Sequence, residues 1–535
     1  MDPGQTGMSS SDEVSFSGCI SYRPVTAASF FLDYFLWQDK AWGHHSSNIF
    51  LHFVVVVLVF FAILALTKRV PLATMTALLF ATHPIHSEVV NNIGYRSDLL
   101  GAIFYLLSFI AYIHATRAKL KKRRRIFFAI SFLSFSLALF AKEFAMTLPL
   151  ILLSYHWLFV KEKGANTFAA FKIRREASFF IAILMFYLYI YFVAIPSAYY
   201  PKFLSMIQPA THGTLILEIF FQYIKVLFSP FSITILPPLY APPVEPANVG
   251  HLLTAILSIV ACLILAAKIY KKHALAAFGI IWFFVTYLPA SNVMPLPNPF
   301  AFRFLYLPSV GFFIAMAVFL EFVINFLQQK TTLPSIGRLL KITCIAFYMF
   351  ATIPNNEFFK NNLVACKEII RNYPDSSHPY WILGLTYLDR QEYDKAIVYF
   401  KKYQQTNPNN PFIAVPKLKF LTQHMLGRCY VNDHDQATYH FKTAIKMKPD
   451  FLVGYFDLAK AYVVKGEYEE ALQTARAAIA IDDKLVMGYV YASHSLAAMG
   501  RFQEARKYLE QARILAPGDI NVKYLQDFIV QKEGQ

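Results

Sequence analysis

Charge is scarce in this chain. Only 16% of its 535 residues are charged, where a soluble domain carries about a quarter. Acidic residues are the scarcer sign, 33 against 50 basic. Cysteine is also thin: the five stand at Cys19, Cys262, Cys344, Cys366 and Cys429, too far apart for a paired metal or redox motif. Cys262 and Cys344 lie in apolar stretches and read as packing residues.

The scarcity is uneven. From Asn355 onward the chain holds 23 basic and 20 acidic residues, a balance typical of a soluble segment; the 354 residues before it hold 27 and 13. Two parts of different physical class follow. The basic surplus of the first part sits in short runs between apolar stretches, the pattern that sets membrane topology rather than one that grips nucleic acid.

A helix needs about 20 apolar residues to cross a bilayer. Ten spans are expected, near 47–67, 70–83, 98–116, 126–141, 144–160, 177–195, 250–268, 274–290, 304–327 and 340–354. Threaded in order, they put the five basic connectors (Lys68-Arg69, Lys119 to Arg125, Lys161 to Arg175, Lys268 to His273, Lys330 to Lys341) on one side. That side is the cytoplasm by the positive-inside tendency. The opposite side receives His83 to Asp98, Lys142-Glu143, Pro196 to Gly250, Leu288 to Arg303 and everything after residue 354. Residues 213–229 are apolar but carry Glu218 and Lys225, and read as an interfacial or re-entrant helix. The polar residues 1–24 lack a signal peptide's layout. The threading puts them outside, which implies a preceding span not in this sequence, or span 47–67 acting as a reverse signal anchor.

Past residue 355 the pattern changes. Pro374 and Pro408 are 34 residues apart, as are Ala471 and Ala505, the period of the tetratricopeptide repeat. One repeat shows Leu383-Gly384, Tyr387, Ala396, Phe400 and Pro408. The next shows Leu426-Gly427, Tyr430, Ala437, Phe441, Ala444 and Pro449, with its helix–helix turn two residues short. A third shows Ala459, Tyr462, Gly466, Tyr468, Ala471 and Ala478, and the last Gly500, Phe502, Ala505, Ala512 and Pro517. Residues 356–374 resemble the second helix of a degenerate first repeat. Such hairpins stack into a solenoid with a concave, protein-binding groove.

The segment from His83 to Leu100 (HPIHSEVVNNIGYRSDLL) is very polar for a turn between spans. Ionisable groups at a membrane boundary are costly and mark function by default. Glu88 and Asp98 are the candidate catalytic carboxylates. Arg23, Arg96, Lys142 and Arg303, all on the outer side, are candidate contacts for an anionic group such as a lipid phosphate, which suits cationic forks. The plainer reading makes each an interfacial snorkel, and has Arg96 and Asp98 cap one helix and pair with each other. His83 and His86 belong to the same candidate site. With Glu88 they offer metal-type donors, but without a tight i, i+4 pair on an evident helix, so a divalent metal is not favoured. The proline-rich stretch Leu236 to Pro246 reads as a rigid loop roofing a cavity. His52 is the single ionisable residue expected mid-span, and no inverted repeat points to a transporter.

The stretches SYRPVTAASFFLDY, ATHPIHSEVVNNIGYRSDLL, AKEFAMTLPLILLSY, LPASNV and RFLYLPSVGF, followed by tetratricopeptide repeats, resemble the transmembrane and tetratricopeptide-repeat-containing O-mannosyltransferases and their bacterial relatives. The resemblance implies an all-α chain, a polytopic helix bundle of the C-type glycosyltransferase kind followed by an α-solenoid. It implies residues 1–46 as an outer N-terminal segment with part of a first loop, 47–354 as the membrane transferase-like domain and 355–535 as the repeat domain on the lumenal or periplasmic side. It implies transfer of a sugar, mannose or another hexose, from a polyprenyl-phosphate carrier to protein hydroxyl groups, with the acceptor protein held by the repeat groove. The setting is the endoplasmic reticulum membrane or a bacterial inner membrane. Such enzymes usually place a catalytic carboxylate in the first outer loop, and Asp12 and Glu13 fall near that loop's expected end. The competing reading is a non-catalytic, membrane-anchored repeat scaffold.

Overall fold

The structure is a computed structural model. It describes residues 22–160, 167–194, 209–230, 249–330 apart from 295 and 297–299, 335–406 apart from 360, 373 and 375–376, and 416–533. Among these residues the regular structure is helical. The chain divides into two compact units, residues 1–365 and 366–535. Asp12, Glu13, Cys19 and the proline-rich stretch Leu236 to Pro246 lie outside the described residues.

In the first unit, helices stand where the apolar runs predict spans: α2 (Ala41–Thr67), α3 (Val70–Thr82), α5 (Arg96–Arg117), α6 (Lys121–Ala141), α7 (Leu148–Phe159), α8 (Thr167–Tyr189), α10 (Val249–Ile269), α11 (Ala274–Tyr287), α12 (Pro308–Lys330) and α13 (Ile336–Phe358). The short α4 (Ser87–Asn91) lies between α3 and α5, and α9 (Pro209–Phe228) precedes α10. Six of the helices are long and apolar enough to cross a membrane, and shorter apolar helices fill the other four places. The chain is a multi-pass membrane protein. Pro24, Pro71 and Pro149 stand in first turns, where a missing N–H costs nothing.

One helix was not expected. Residues Pro24–Trp37 form α1, too short to span. Phe31, Leu32, Tyr34, Phe35 and Leu36 are exposed on it while Asp33 is buried, so it suits the apolar–aqueous boundary.

Small and polar residues set the packing, as in other membrane bundles. Ser108 on α5 and Ser131 on α6 each donate to the other's carbonyl, at 2.7 and 2.9 Å. Helices α11 and α12 cross at Gly279 and Gly311. A Cβ on Gly279 would lie 2.6 Å from the Gly311 carbonyl oxygen, and one on Gly311 would lie 2.3 Å from that of Gly279. Only glycine allows this approach.

The second unit pairs helices into hairpins: α15 (His378–Asp389) with α16 (Tyr393–Gln405), α17 (Pro416–Cys429) with α18 (His434–Met447), α19 (Leu452–Lys465) with α20 (Tyr468–Ile481), and α21 (Val486–Ala498) with α22 (Phe502–Leu515). Before them lies α14 (Asn362–Asn372), and after them α23 (Ile520–Glu533). In the first two hairpins a phenylalanine fills the space a glycine leaves. Phe400 approaches the Cβ site of Gly384 to 2.6 Å, and Phe441 that of Gly427 to 2.5 Å. The two-residue deficit of the second hairpin falls at the end of α17, which stops at Cys429, soon after Gly427. Gly466 and Gly500 end helices with φ of 80° and 77°, a conformation that suits glycine.

Candidate functional site

The polar segment after α3 is folded tightly. A 3-10 turn (Pro84–His86) leads into α4, and a second (Ile93–Tyr95) leads into α5. The His83 ring accepts from the Ile85 N–H at 3.1 Å, and the Asn92 side chain accepts from the Gly94 N–H at 2.9 Å. The first bond satisfies a buried backbone group with no water to turn to, and the second closes an exposed turn. They also present Glu88 and Asp98 at helix ends.

Four ion pairs gather around this segment, each joining residues far apart in sequence. Arg23 grips Glu143 through two nitrogens, with Nη2 at 2.7 and 2.9 Å from the two carboxylate oxygens and Nε at 3.0 Å. Lys142 Nζ lies 3.0 Å from Asp98 Oδ2, and Ser97 Oγ accepts weakly from both Arg23 and Lys142, at 3.4 and 3.5 Å. Arg303 donates to Glu88 twice, from Nη1 at 2.8 Å and from its backbone N–H at 2.9 Å. Its guanidinium lies over the Tyr95 ring, 4.1 Å from the centroid. Arg96 binds Asp33 at 2.5 Å.

Three of these pairs form one electrostatic system. The Asp98 charge acts on Arg23, Lys142 and Arg303 together. Burial, and after it the neighbouring Arg23 charge, hold the Lys142 ammonium below the ordinary lysine value, against the pull of Asp98 and Glu143.

Arg96 departs from expectation. It does not pair with Asp98, and it lies within protein rather than at a surface. Its side chain is 1% exposed. Besides Asp33 it donates to Asn48 Oδ1 at 2.9 Å, and more weakly to the carbonyls of Ser29 and His44. Asp33 in turn accepts from Ser47 at 2.9 Å and meets His44 at 3.2 Å. Arg96 thus clamps α1, α2 and α5 together. Asp33 was missed in the sequence; its signal was a lone carboxylate inside the apolar run of α1.

His83 and His86 are likewise within the core. His83 packs on Tyr348 and Phe313, and burial pushes it down to about 3. His86 packs on Phe80 and Tyr306, and its Nε2 lies 3.0 Å from Ser309 Oγ. His52 joins the same aromatic group, 2.7 Å from the Tyr306 hydroxyl. Glu88 turns instead to Arg303. No group of three or more His, Cys, Asp or Glu side chains fit for a metal occurs among the described residues.

At the other end of the helices, Arg69 pairs with Glu321 and Arg124 with Glu176. Asn356, near the end of α13, bonds Asn91 of the polar segment at 2.9 Å.

Comparison with known proteins finds the repeats of the second unit and a set of partial relatives. Tetratricopeptide-repeat family models match residues 377–410 and 431–485. The human protein O-mannosyl-transferase TMTC3 is 39% identical over 99 residues, 18% of this chain and 10% of that protein. Human TMTC1 is 42% identical over 17% of this chain and 10% of its own length. Human TMTC4 is 40% identical over 19% and 16%. The chain thus spans only about a tenth to a sixth of the length of the curated relatives it matches. Among solved structures, MamA aligns at 21% identity with a TM-score of 0.26, over 28% of this chain and 84% of its own, too slight a likeness to argue from. The chain is thus similar, over part of its length, to the protein O-mannosyl-transferases, and its second unit carries tetratricopeptide repeats.

Proposed function

We propose that the chain transfers a mannosyl group from a polyprenyl-phosphate carrier to hydroxyl groups of proteins, on the lumenal or periplasmic face of its membrane. The observation that carries this reading is the cluster of Arg23, Lys142 and Arg303 with Glu143, Asp98 and Glu88 at helix ends. Partly buried cations matched one for one by carboxylates form a site that can accept an incoming anion and release a base.

The acceptor oxygen attacks the anomeric carbon as the bond from that carbon to the phosphate oxygen breaks. Negative charge grows on the departing phosphate, and Arg23, Lys142 and Arg303 are placed to meet it. As the phosphate draws these cations, Glu88 or Asp98 is left to take the hydroxyl proton. Arg96 acts in this scheme as a positioning residue, fixing α5 and with it Asp98. His83 and His86 support the loop from the core. The repeat groove holds the acceptor protein.

Glu88→Gln keeps the shape and one of the two Arg303 contacts, since its amide nitrogen cannot accept the other, while losing the base. Mannosyl transfer by the purified variant is expected to fall by about 100-fold or more while it still elutes and melts cooperatively as a folded protein; near-normal transfer would remove Glu88 from the site.

A further inference from the structure

Of the four ion pairs, one stands open. Arg23 and Glu143 are 28% and 25% exposed, whereas in the pairs made by Arg96, Lys142 and Arg303 no side chain exceeds 12%. The Glu143 carboxylate sits across the guanidinium fork, two oxygens against two nitrogens, the placing that two oxygens of a phosphate would take.

A cavity of about 330 Å³ lies between α6 and α8, lined by Ser136, Leu139, Phe140, Ala182, Phe186 and Tyr187 among others. Its wall is almost wholly apolar. It reaches toward the open pair, because Tyr187 feels the charges of both Glu143 and Arg23, and Phe140 packs on Tyr187 at 5.8 Å and on Tyr22 at 6.3 Å. Beyond Tyr189 the helix winds into a π-helical turn, Ile190–Ala194, a distortion common at functional sites.

We infer that the donor's polyprenyl tail lies in this groove between α6 and α8, with its phosphate on Arg23 in the place Glu143 now holds. Glu143 is then a displaceable stand-in: it keeps the guanidinium paired in the resting protein and competes with the ligand. The inference rests on the lipid-phosphate reading above and adds the port of entry and the group that guards it. The commitment to a polyprenyl chain follows from an almost wholly apolar groove beside a guanidinium fork that is open to a phosphate.

The test is binding of farnesyl phosphate to the full chain in phosphatidylcholine nanodiscs, beside inorganic phosphate and a diacyl phosphate lipid. Glu143→Gln is expected to tighten farnesyl phosphate by about 5-fold, as loss of one partly exposed competing charge allows. A misfolded variant could not show such a gain. Arg23→Gln is expected to weaken it by about 10-fold or more, the loss of a charge-assisted pair. Ala182→Trp, which fills the groove, should weaken farnesyl phosphate and leave inorganic phosphate unchanged. Binding that is weakened or unmoved by Glu143→Gln, or unmoved by Ala182→Trp, overturns the inference, as does equal binding of the diacyl lipid. Mannosyl transfer is measured on the same samples. Transfer with insensitive binding leaves the transferase reading standing and removes this site. The expected binding pattern without transfer keeps the site and removes the transferase.

Discussion

The closed ion pairs around the polar segment of the membrane unit and the pairs on the repeat surface use charge in opposite ways. In the membrane unit, Arg96 and Asp33 are 1% and 8% exposed, and Lys142 and Asp98 are 11% and 1%. In the repeats, Arg501 and Glu504 are 41% and 45% exposed, one turn apart on the same helix. Exposed pairs add little to stability because water and salt screen them. A buried pair is worth little as a pair, yet is costly to break, because removing one partner strands the other. The repeat pair thus stays in water, while the buried membrane-unit pairs hold elements in register.

The comparison can be broken. Arg96→Ala leaves Asp33 buried without its cation and is expected to destabilise the membrane unit by about 3–5 kcal/mol, read as loss of folded protein in a detergent-solubilised thermal melt. If it melts like the parent, burial is not what distinguishes the two units. A buried ionisable group in the repeats sharpens the contrast. His378 is buried, and burial holds it down to about 4. Its folded value lies below the unfolded one near 6.5, so only the unfolded chain gains a proton between these values. Stability is full above about pH 6.5 and is lost as pH falls toward 4, by up to about 3 kcal/mol. His378→Gln should flatten that part of the pH profile of repeat-unit unfolding; an unchanged slope would point to another group. The smallest effect is expected at the surface: Arg501→Ala should leave the melting temperature of the repeats where it was, and a clear drop would show that exposed pairs matter here too.

How much the sequence disclosed follows the same division. The helices α2 to α13 were legible where apolar runs are long, and the repeats were legible because small and aromatic residues recur in register, as Gly384 with Phe400 and Gly427 with Phe441 do. Helix α1 was not, because fourteen residues with a central Asp33 fall short of a span and show no repeat. The outer-side cations were each visible as unusual residues, but their partners were not. Arg23 meets Glu143 across 120 positions, and Arg303 meets Glu88 across 215. Such pairings depend on how helices pack, which no local pattern records. Arg96 illustrates the consequence: its chemistry suits a phosphate, and only the structure shows it buried against Asp33.

The central claim is mannosyl transfer by this arrangement of charges, and its most direct measurement is transfer of radiolabelled mannose from mannosyl polyprenyl phosphate to candidate acceptor proteins. The purified chain is compared with Glu88→Gln. Label on serine or threonine hydroxyls with the parent, and its loss in the folded variant, is the expected result. A folded parent that binds protein partners through its repeats and transfers no label would contradict it, and would leave a membrane-anchored scaffold in its place.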